Sequence, residues 1–489
     1  MSHAPTPTAP TPTSSRRGPD TPTGRVGPVI AVLVIAAFVM ILNETVLSVA
    51  LPPLMQEFSV PATTAQWLTT GFMLTMAVVI PTTGFLIRRF STRGLFVTAL
   101  ALFLVGTVVA ALAPSFALVL LARVVQAGGT AIILPLLMTT TLTSVAPQHR
   151  GTIMGLNSIV ISVGPAVGPT LSGIVVDLAG WRSIFWVMLP IAALTLVAGT
   201  LILRANGETA RARMDVWSVA LSAVAFGGIV YALASIGAVL EGAWIPLAAA
   251  VIGVAALVMF ARRQGALSRS AREPLLSLRP FAVPTFRTAV LVVMMCMATM
   301  LGAVIVLPIY LQDARGVSVL ATGLLLLPGG LIQGIISPIA GRLYDRIGAA
   351  PVLIPGAVLL AGGQWMLATI GADTPLWLVV VLHVVFCAGM AALMPVLMTM
   401  SLSSLPREQY PYGSAIVNTL QQLAGAAGTA LFVAALTIGA ALAADGGTGA
   451  SDALVAGTRG SFVVGGILGL VAFVAVFFLR PRREAPATH

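Results

Sequence analysis

The chain has 489 residues, of which 58% are hydrophobic and only 8% are charged. A soluble domain carries about 25% charged residues, so this composition excludes a large soluble protein and indicates an integral membrane protein. The net charge of +11 would suggest a nucleic-acid partner in a soluble chain. All 26 basic residues are arginines, however, and their placement, described below, explains the charge without nucleic acid.

The first 27 residues are rich in proline, threonine and serine, which predicts a disordered cytoplasmic tail. The apolar run that follows, residues 28–51, is too long for a signal-peptide core and lacks a small-residue cleavage site. At about 1.5 Å per residue it is long enough to cross a bilayer core of roughly 30 Å. We therefore interpret it as the first membrane-spanning helix.

Apolar runs separated by charged or turn residues divide the chain into spans. Helices are expected throughout, because each helix satisfies its own backbone hydrogen bonds in lipid. The prediction is an all-α integral membrane protein with 14 transmembrane helices, at residues 28–51, 66–87, 94–113, 116–142, 152–176, 182–203, 216–237, 243–261, 288–311, 319–340, 350–370, 375–402, 412–442 and 460–479.

The arginines are distributed unequally between the two sets of connections. With the N-terminal tail on the inside, 22 arginines fall in inner segments, and only Arg182, Arg315 and Arg459 fall in outer loops. This is the positive-inside bias of membrane proteins. It predicts a multi-pass protein of the cytoplasmic (cell) membrane with both termini in the cytoplasm.

The two halves of the chain repeat each other. The segment "LPPLMQE" at 51–57 recurs as "LPIYLQD" at 307–313, and the segment that begins at Arg123 recurs from His383. Two six-helix bundles around a central site are the architecture of rocker-type transporters. The predicted domains are two tails, two bundles and, between the bundles, helices 7 and 8 as an inserted pair with cytoplasmic linkers. Their bounds are 1–27 and 480–489 for the tails, 28–203 and 288–479 for the bundles, and 204–287 for the inserted pair.

Glu44 is an acidic residue inside an apolar span, and Arg123 is a basic one. Ionisable groups at this depth are costly and indicate a functional site. In the predicted spans, each of the two residues lies seven residues from the outer end of its helix. We therefore expect the two to lie at the same depth in the membrane. We interpret Glu44 as a proton carrier and Arg123 as the base that tunes it. The alternatives are a position of Glu44 near the outer interface and a structural salt bridge.

His383, the repeat counterpart of Arg123, is a third candidate for proton coupling, although a satisfied hydrogen-bonding role is at least as common.

Uncharged polar side chains also lie within the spans. We expect them to line a substrate cavity, and hydrogen bonds between helices are the equal alternative: Asn43, Gln126, Asn157, Gln333, Asn418, Gln421 and Gln422. Methionines cluster at 294–300 and 390–400, where flexible thioethers suit varied apolar ligands or simply fill the core.

No phosphate-binding glycine loop, metal motif or nucleophile triad is present in the sequence, and both cysteines lie in apolar spans. The longest cytoplasmic connection, 262–287, is too short for a nucleotide-binding domain. The sequence predicts neither an enzyme nor an ATP-driven pump, with no cofactor, no metal, no nucleotide and no nucleic-acid partner.

Several motifs resemble those of the major facilitator superfamily, specifically the fourteen-helix drug:proton antiporters of the lincomycin and multidrug efflux type. They are "LNETVLSVALPP" in helix 1, "RVVQAGG" in helix 4 and "GLNSIVISVGPAVGP" at 155–169 in helix 5. The last contains Gly155, Gly164, Pro165 and Gly168, which the resemblance implies form a conformational motif.

The resemblance also implies a loop that latches the bundles in one state. In the second half, Gly341, Asp345 and Arg346 match the motif of this loop. In the first half, Arg88 replaces the usual aspartate, which puts that latch in doubt.

The resulting functional prediction is proton-coupled efflux of hydrophobic or amphipathic small molecules by alternating access. The partners are then a small-molecule substrate, protons and the lipid bilayer. A dedicated exporter of one natural product, lipid or glycolipid is the alternative. An importer is disfavoured by the helix 5 motif, and a membrane enzyme or signalling scaffold by the absence of catalytic clusters and soluble modules.

Overall fold

The computed structural model describes residues 26–203, 215–240, 242–270 and 274–479. This part of the chain contains fourteen helices of 18 residues or more. They are α1 (Val26–Phe58), α2 (Trp67–Arg89), α3 (Thr92–Leu112), α4 (Phe116–Ser144), α5 (Arg150–Ala179), α6 (Arg182–Ile202), α7 (Val216–Ala234), α8 (Trp244–Arg269), α9 (Pro284–Ile309), α10 (Val319–Ile347), α11 (Ala350–Leu367), α12 (Leu376–Ser403), α13 (Tyr410–Asp445) and α14 (Ala450–Val476).

Within the described residues, thirteen helical segments are long and apolar enough to cross a membrane. The fourteenth long helix is α5, at the position of the predicted span 152–176. The all-helical membrane class is thereby confirmed. The two tails predicted at residues 1–27 and 480–489 lie almost entirely outside the described residues.

Two predicted boundaries are wrong. Helix α1 continues through Pro53 to Phe58, so Glu44 lies fourteen residues from its end, about 21 Å, and not seven. Helix α14 begins at Ala450, so Arg459 lies inside a helix and not in an outer loop. Its side-chain Nε donates a 2.6 Å hydrogen bond to the carbonyl of Ile370, in the connection between α11 and α12.

Two large hydrophobic cores follow the two halves of the sequence. One is built from helices α1 to α6 and includes Phe96, Phe103 and Phe185. The other is built mainly from helices α9 to α14 and includes Phe286 and Phe432. The domain boundaries themselves remain a prediction.

Alternate connections lie at opposite ends of this helical array, because consecutive long helices are antiparallel. The end that carries the connections 90–91, 145–149, 348–349 and 404–409 is called the arginine-rich end here. The opposite end carries 113–115, 180–181, 368–375 and 446–449 and is called the arginine-poor end.

The halves meet where α5 packs against α10 and where α2 and α4 pack against α13. Near the arginine-rich end the backbones of Gly151 and Gly341 approach so closely that a Cβ on either residue would clash with the other helix. Small residues permit this separation between helices in a membrane.

The helix pair α7–α8 packs on the outside of this interface. Phe226 and Val230 of α7 form a small core with Ala77 of α2, while Leu423 of α13 packs against the same core. The pair therefore touches both halves.

A polar cluster joins α7 to α8 near their arginine-rich ends. Arg263 donates 2.7 and 2.9 Å hydrogen bonds to the two carboxylate oxygens of Asp215, and Ser218 donates a third of 2.6 Å. These hydrogen bonds, from Arg263 first, lower the pKa of Asp215 to about 2. Gln264 accepts a 3.3 Å hydrogen bond from the Leu276 backbone N–H, which connects the pair to the segment before α9.

Candidate functional site

Arg123 of α4 is fully buried, with 0% of its side chain exposed. Its Nη1 atom donates a 2.5 Å hydrogen bond to Oδ1 of Asn43 on α1 and a 3.1 Å hydrogen bond to Oε1 of Gln126. The guanidinium also lies over the ring of Phe72, 4.1 Å from its centroid. A buried charge needs such partners, because an uncompensated one is strongly destabilising.

This network extends one step beyond the predicted residues. Nε2 of Gln126 donates a 2.9 Å hydrogen bond to the hydroxyl of Thr107 on α3. Sequence reasoning missed Thr107 and Phe72. The position of Thr107 within an apolar span is a weak signal for a polar network. A single phenylalanine in a membrane helix, such as Phe72, gives no such signal.

Glu44 follows Asn43 on α1 and is partly exposed. Since each residue turns a helix by about 100°, its side chain lies beside the face that carries Asn43, near enough for its charge to interact with that of Arg123. No ion pair joins Glu44 and Arg123 among the residues that the structure describes. The structure therefore brings Arg123 together with Asn43 and Gln126, with Glu44 beside them but not bonded to the arginine.

The next residue of α1, Thr45, faces α5. Its hydroxyl donates a hydrogen bond to the carbonyl of Leu42 in its own helix at 3.1 Å and also lies 3.4 Å from the carbonyl of Gly164. A Cβ at Gly164 would lie 2.9 Å from the Ile41 side chain, and one at Gly168 would clash with Thr45. The predicted conformational motif thus forms the α1–α5 contact directly beside Glu44. Pro165 lies in α5, and its side chain is outside the described part.

Three polar residues of α13 contact the first half. Ser414 donates a 3.2 Å hydrogen bond to the carbonyl of Pro135, and Asn418 contacts the sulfur of Met138 at 3.3 Å. Nε2 of Gln422 lies 3.6 Å from the sulfur of Met76. Gln421 is also buried, but its Nε2 has no hydrogen-bond partner in the described part.

A cavity lies between the halves. Seven of its ten lining residues are methionines, and they come from both halves: Met138, Met154, Asn157, Ser158, Met297, Met300, Gln333, Met390, Met394 and Met398. Its free volume is about 20 Å³, which is enough for one water-sized species and far below the roughly 300–1,000 Å³ of a drug-sized pocket. Two predicted cavity residues, Asn157 and Gln333, line it, while Asn43 and Gln126 belong to the arginine network instead.

His383 is buried on α12, separate from the Arg123 network. Its Nε2 atom lies 3.5 Å from the sulfur of Cys387, one turn further along the helix. Gly329 of α10 packs against both side chains.

At the arginine-rich end, Asp345 of α10 binds the first turn of α5. Its carboxylate accepts hydrogen bonds from the backbone N–H of Gly151 at 2.9 Å and from the N–H and hydroxyl of Thr152, both at 2.7 Å. A carboxylate at a helix N-terminus also interacts favourably with the helix dipole. Gly155 packs against the backbone of Ser337 one turn further along.

The corresponding contact of the first half uses different chemistry. Arg88 of α2 lies over the ring of Tyr412 on α13, 5.2 Å from its centroid. The neighbouring Tyr410 accepts a 3.2 Å hydrogen bond from Arg150 of α5. Sequence reasoning predicted the loss of the first aspartate, but it did not identify the two tyrosines that bind arginines in its place.

These features define a class of protein: a polytopic membrane transporter with two helical halves, a cavity between them and buried ionisable groups beside it. The chain belongs to the Major Facilitator Superfamily, whose family model matches residues 33–429.

Two bacterial relatives match almost the whole chain. An uncharacterized MFS-type transporter of Bacillus subtilis (strain 168), YcnB, is 38% identical over 463 residues, which cover 94% of this chain and 97% of YcnB. The lincomycin resistance protein LmrB of the same organism is 38% identical over 465 residues, covering 93% and 96%.

The crystal structure of the human organic anion transporter MFSD10 has the same fold. It superimposes with a TM-score of 0.66 at 17% sequence identity, covering 94% of this chain and 100% of that one.

Proposed function

We propose that this protein exports apolar or amphipathic small molecules, lincomycin-like antibiotics among them, across the cytoplasmic membrane in exchange for protons. The relative LmrB, 38% identical over nearly its full length, is named for lincomycin resistance. The observation that carries the proton-coupled mechanism is the arrangement of three consecutive residues of α1: Asn43 binds Arg123, Thr45 packs against Gly168 of α5, and Glu44 lies between them.

This arrangement supports a proton-dependent movement of α1. Nη1 of Arg123 is held by Asn43, whereas its Nε and Nη2 atoms are buried without a hydrogen-bond partner in the described part. An ionised Glu44 carboxylate is attracted to these donors, because a buried charge is stabilised by an opposite charge. Protonation of Glu44 removes the attraction. Because Thr45 packs against Gly168 of α5, a shift of α1 also moves α5. Helix α5 in turn packs against α10 of the second half.

The drug site in this scheme is the methionine-lined cavity. Its present volume cannot hold a drug, so the halves must separate to admit one. The contacts that close the arginine-rich end are those of Asp345 with α5 and of Ser414 and Asn418 with α4. Opening this end exposes the cavity to the cytoplasm, and closing it again accompanies release on the other side.

The deciding experiment measures lincomycin-induced proton release in inverted membrane vesicles. With Glu44→Gln we expect at least a tenfold slower exchange, because an amide keeps the shape but carries no titratable proton. The matched control is Glu57→Gln, at the end of the same helix, where the carboxylate binds Trp181 and Arg182. An unchanged rate for Glu44→Gln makes Glu44 structural, and His383→Gln is then the next variant to measure.

The breadth of the substrate range separates the multidrug role from a dedicated exporter. We expect cells that carry the protein to survive raised concentrations of several chemically unrelated apolar compounds, because flexible thioethers adapt to different shapes. Protection against a single compound contradicts this expectation and supports the dedicated exporter.

A further inference from the structure

Helix α12 carries a continuous row of soft metal ligands. His383, Cys387, Met390, Met394 and Met398 are spaced four, three, four and four residues apart, and all are buried. At about 100° per residue they fall within an arc of about 80° on one face of the helix. At about 1.5 Å per residue the row is about 22 Å long, most of the depth of a bilayer core.

The lower part of this row lines the cavity between the halves. Met390, Met394 and Met398 share the cavity wall with Met297 and Met300 of α9. The two methionines from the first half already accept amide contacts, Met138 from Asn418 and Met154 from Asn157. The second half therefore supplies five of the methionines that line this cavity.

The chemistry of this wall selects one kind of ion. Thioether sulfur is a soft ligand that prefers Cu(I) over hard cations such as Mg²⁺ or Ca²⁺. No carboxylate lines the cavity, so a divalent ion would enter it without compensating charge, at a large desolvation cost. Elsewhere in the described part, no group of three or more His, Cys, Asp or Glu side chains is suited to a metal ion.

We propose that the methionine-lined cavity and the row on α12 form a binding site and path for a soft monovalent cation, Cu(I) or Ag(I). The free volume of about 20 Å³ suits a single ion in this conformation, in which a drug does not fit. The Cys387–His383 pair continues the path toward the arginine-poor end.

The test uses Ag(I), which needs no reductant, added as silver nitrate to the purified full-length protein in chloride-free detergent buffer. Both free cysteines, Cys296 and Cys387, are first replaced by alanine, so that thiols do not contribute. Equilibrium dialysis with elemental analysis then measures bound silver. We expect this cysteine-free protein to retain at least one Ag(I).

The decisive variant combines Met297→Leu, Met390→Leu and Met394→Leu. Leucine keeps the volume and apolar character of methionine but removes the sulfur, and such swaps are among those that cores tolerate best. We expect at least a tenfold loss of Ag(I) affinity. Met188→Leu, a buried methionine of α6 outside the cavity, is the matched control and should bind as the parent does.

Two further measurements complete the test. The double variant Met297→Leu with Met390→Leu keeps the thioether of Met394 and should bind Ag(I) more tightly than the triple variant. Elution of each variant as a single gel-filtration peak, like the parent, establishes that it is folded. The proposal is overturned if the cysteine-free protein holds no silver, or if a folded triple variant binds it as tightly as the parent.

The silver-binding measurement tests the metal site separately from the proposed drug export. Lincomycin-induced proton release is measured separately on the parent protein, in which the methionine-lined wall is intact. Silver binding without drug exchange supports the metal site and rejects the export proposal. Drug exchange without silver binding identifies the methionines as an apolar wall and rejects the metal site.

Discussion

Arg123 Nη1 and Asn43 Oδ1 lie 2.5 Å apart, and this is the direct bond between α4 and α1 at the buried arginine. The neutral side-chain amide of Asn43 therefore binds the charged guanidinium of Arg123, for which a carboxylate would be the expected partner. The acid, Glu44, is displaced by one residue along α1 and is left without an ion pair to Arg123. It is thereby free to change its protonation without breaking the bond that joins the two helices.

The first prediction concerns this bond. Asn43→Leu leaves Nη1 of Arg123 without its strongest acceptor, and a hydrogen bond to a charged group contributes about 1.5–3 kcal/mol. We expect a lower thermal unfolding temperature in detergent and at least tenfold slower proton exchange. The control is Thr299→Val, which removes a buried hydroxyl of α9 bonded only within its own helix. Equal stability of Asn43→Leu and wild type contradicts the role assigned to Asn43.

The second prediction concerns the α1–α5 contact. Gly164→Leu places a side chain against Ile41 where a Cβ alone would already lie 2.9 Å away. We expect transport to be abolished while the protein remains in the membrane. Gly173→Leu, on the same helix but with nothing within 4 Å of an added Cβ, is the matched control and should transport normally. Export by Gly164→Leu at the wild-type rate excludes close packing of α1 on α5 as a requirement.

The third prediction concerns the latch at the arginine-rich end. Asp345→Asn weakens three hydrogen bonds to the first turn of α5, and we expect the end to open more often. The measurement is N-ethylmaleimide labelling of Ser337→Cys, a fully buried interface position, in the cysteine-free background. We expect at least tenfold faster labelling with Asp345→Asn. Arg342→Gln, at an exposed position of the same helix outside the motif, should leave the rate unchanged, and an unchanged rate for Asp345→Asn removes its role as a latch.

The fourth prediction is a pH dependence of the α7–α8 cluster. Hydrogen bonds from Arg263 hold the pKa of Asp215 at about 2, below its usual value of about 3.9. The stabilisation is therefore complete above about pH 4 and is lost as the pH falls towards 2. Asp215→Asn should lower the unfolding temperature at pH 7, and its difference from wild type should shrink at pH 3 and vanish near pH 2. A difference that stays constant with pH would assign the effect to packing and not to charge.

The fifth prediction is the orientation in the membrane. Reporter fusions after Ser270 and after the C-terminus should report the cytoplasm, and a fusion near Gly447 should report the outside. The basis is the unequal distribution of arginines between the connections. An external C-terminus indicates a count of spans that is wrong by an odd number.

The sequence by itself determined the all-helical membrane class and the approximate number of membrane-spanning helices. Apolar runs of bilayer length are local properties, and a helix in lipid satisfies its own backbone, so each span could be predicted without its neighbours. The failures were at helix ends. Leu51 precedes two prolines and Arg459 is charged, but neither a proline nor an arginine ends a helix when the surrounding structure supports the backbone or the charge.

The partners of the buried polar groups were decided only by the tertiary structure. Sequence placed Glu44 and Arg123 at a common depth, but depth does not fix the direction of a side chain. Because one residue turns a helix by about 100°, the choice between Asn43 and Glu44 as the partner of Arg123 depends on how α1 is rotated against α4 and α5. In the structure this rotation places Ile41 against Gly164 and Thr45 against Gly168. The gathering of seven methionines from four helices around one cavity depends in the same way on how the two halves dock, which no single span encodes.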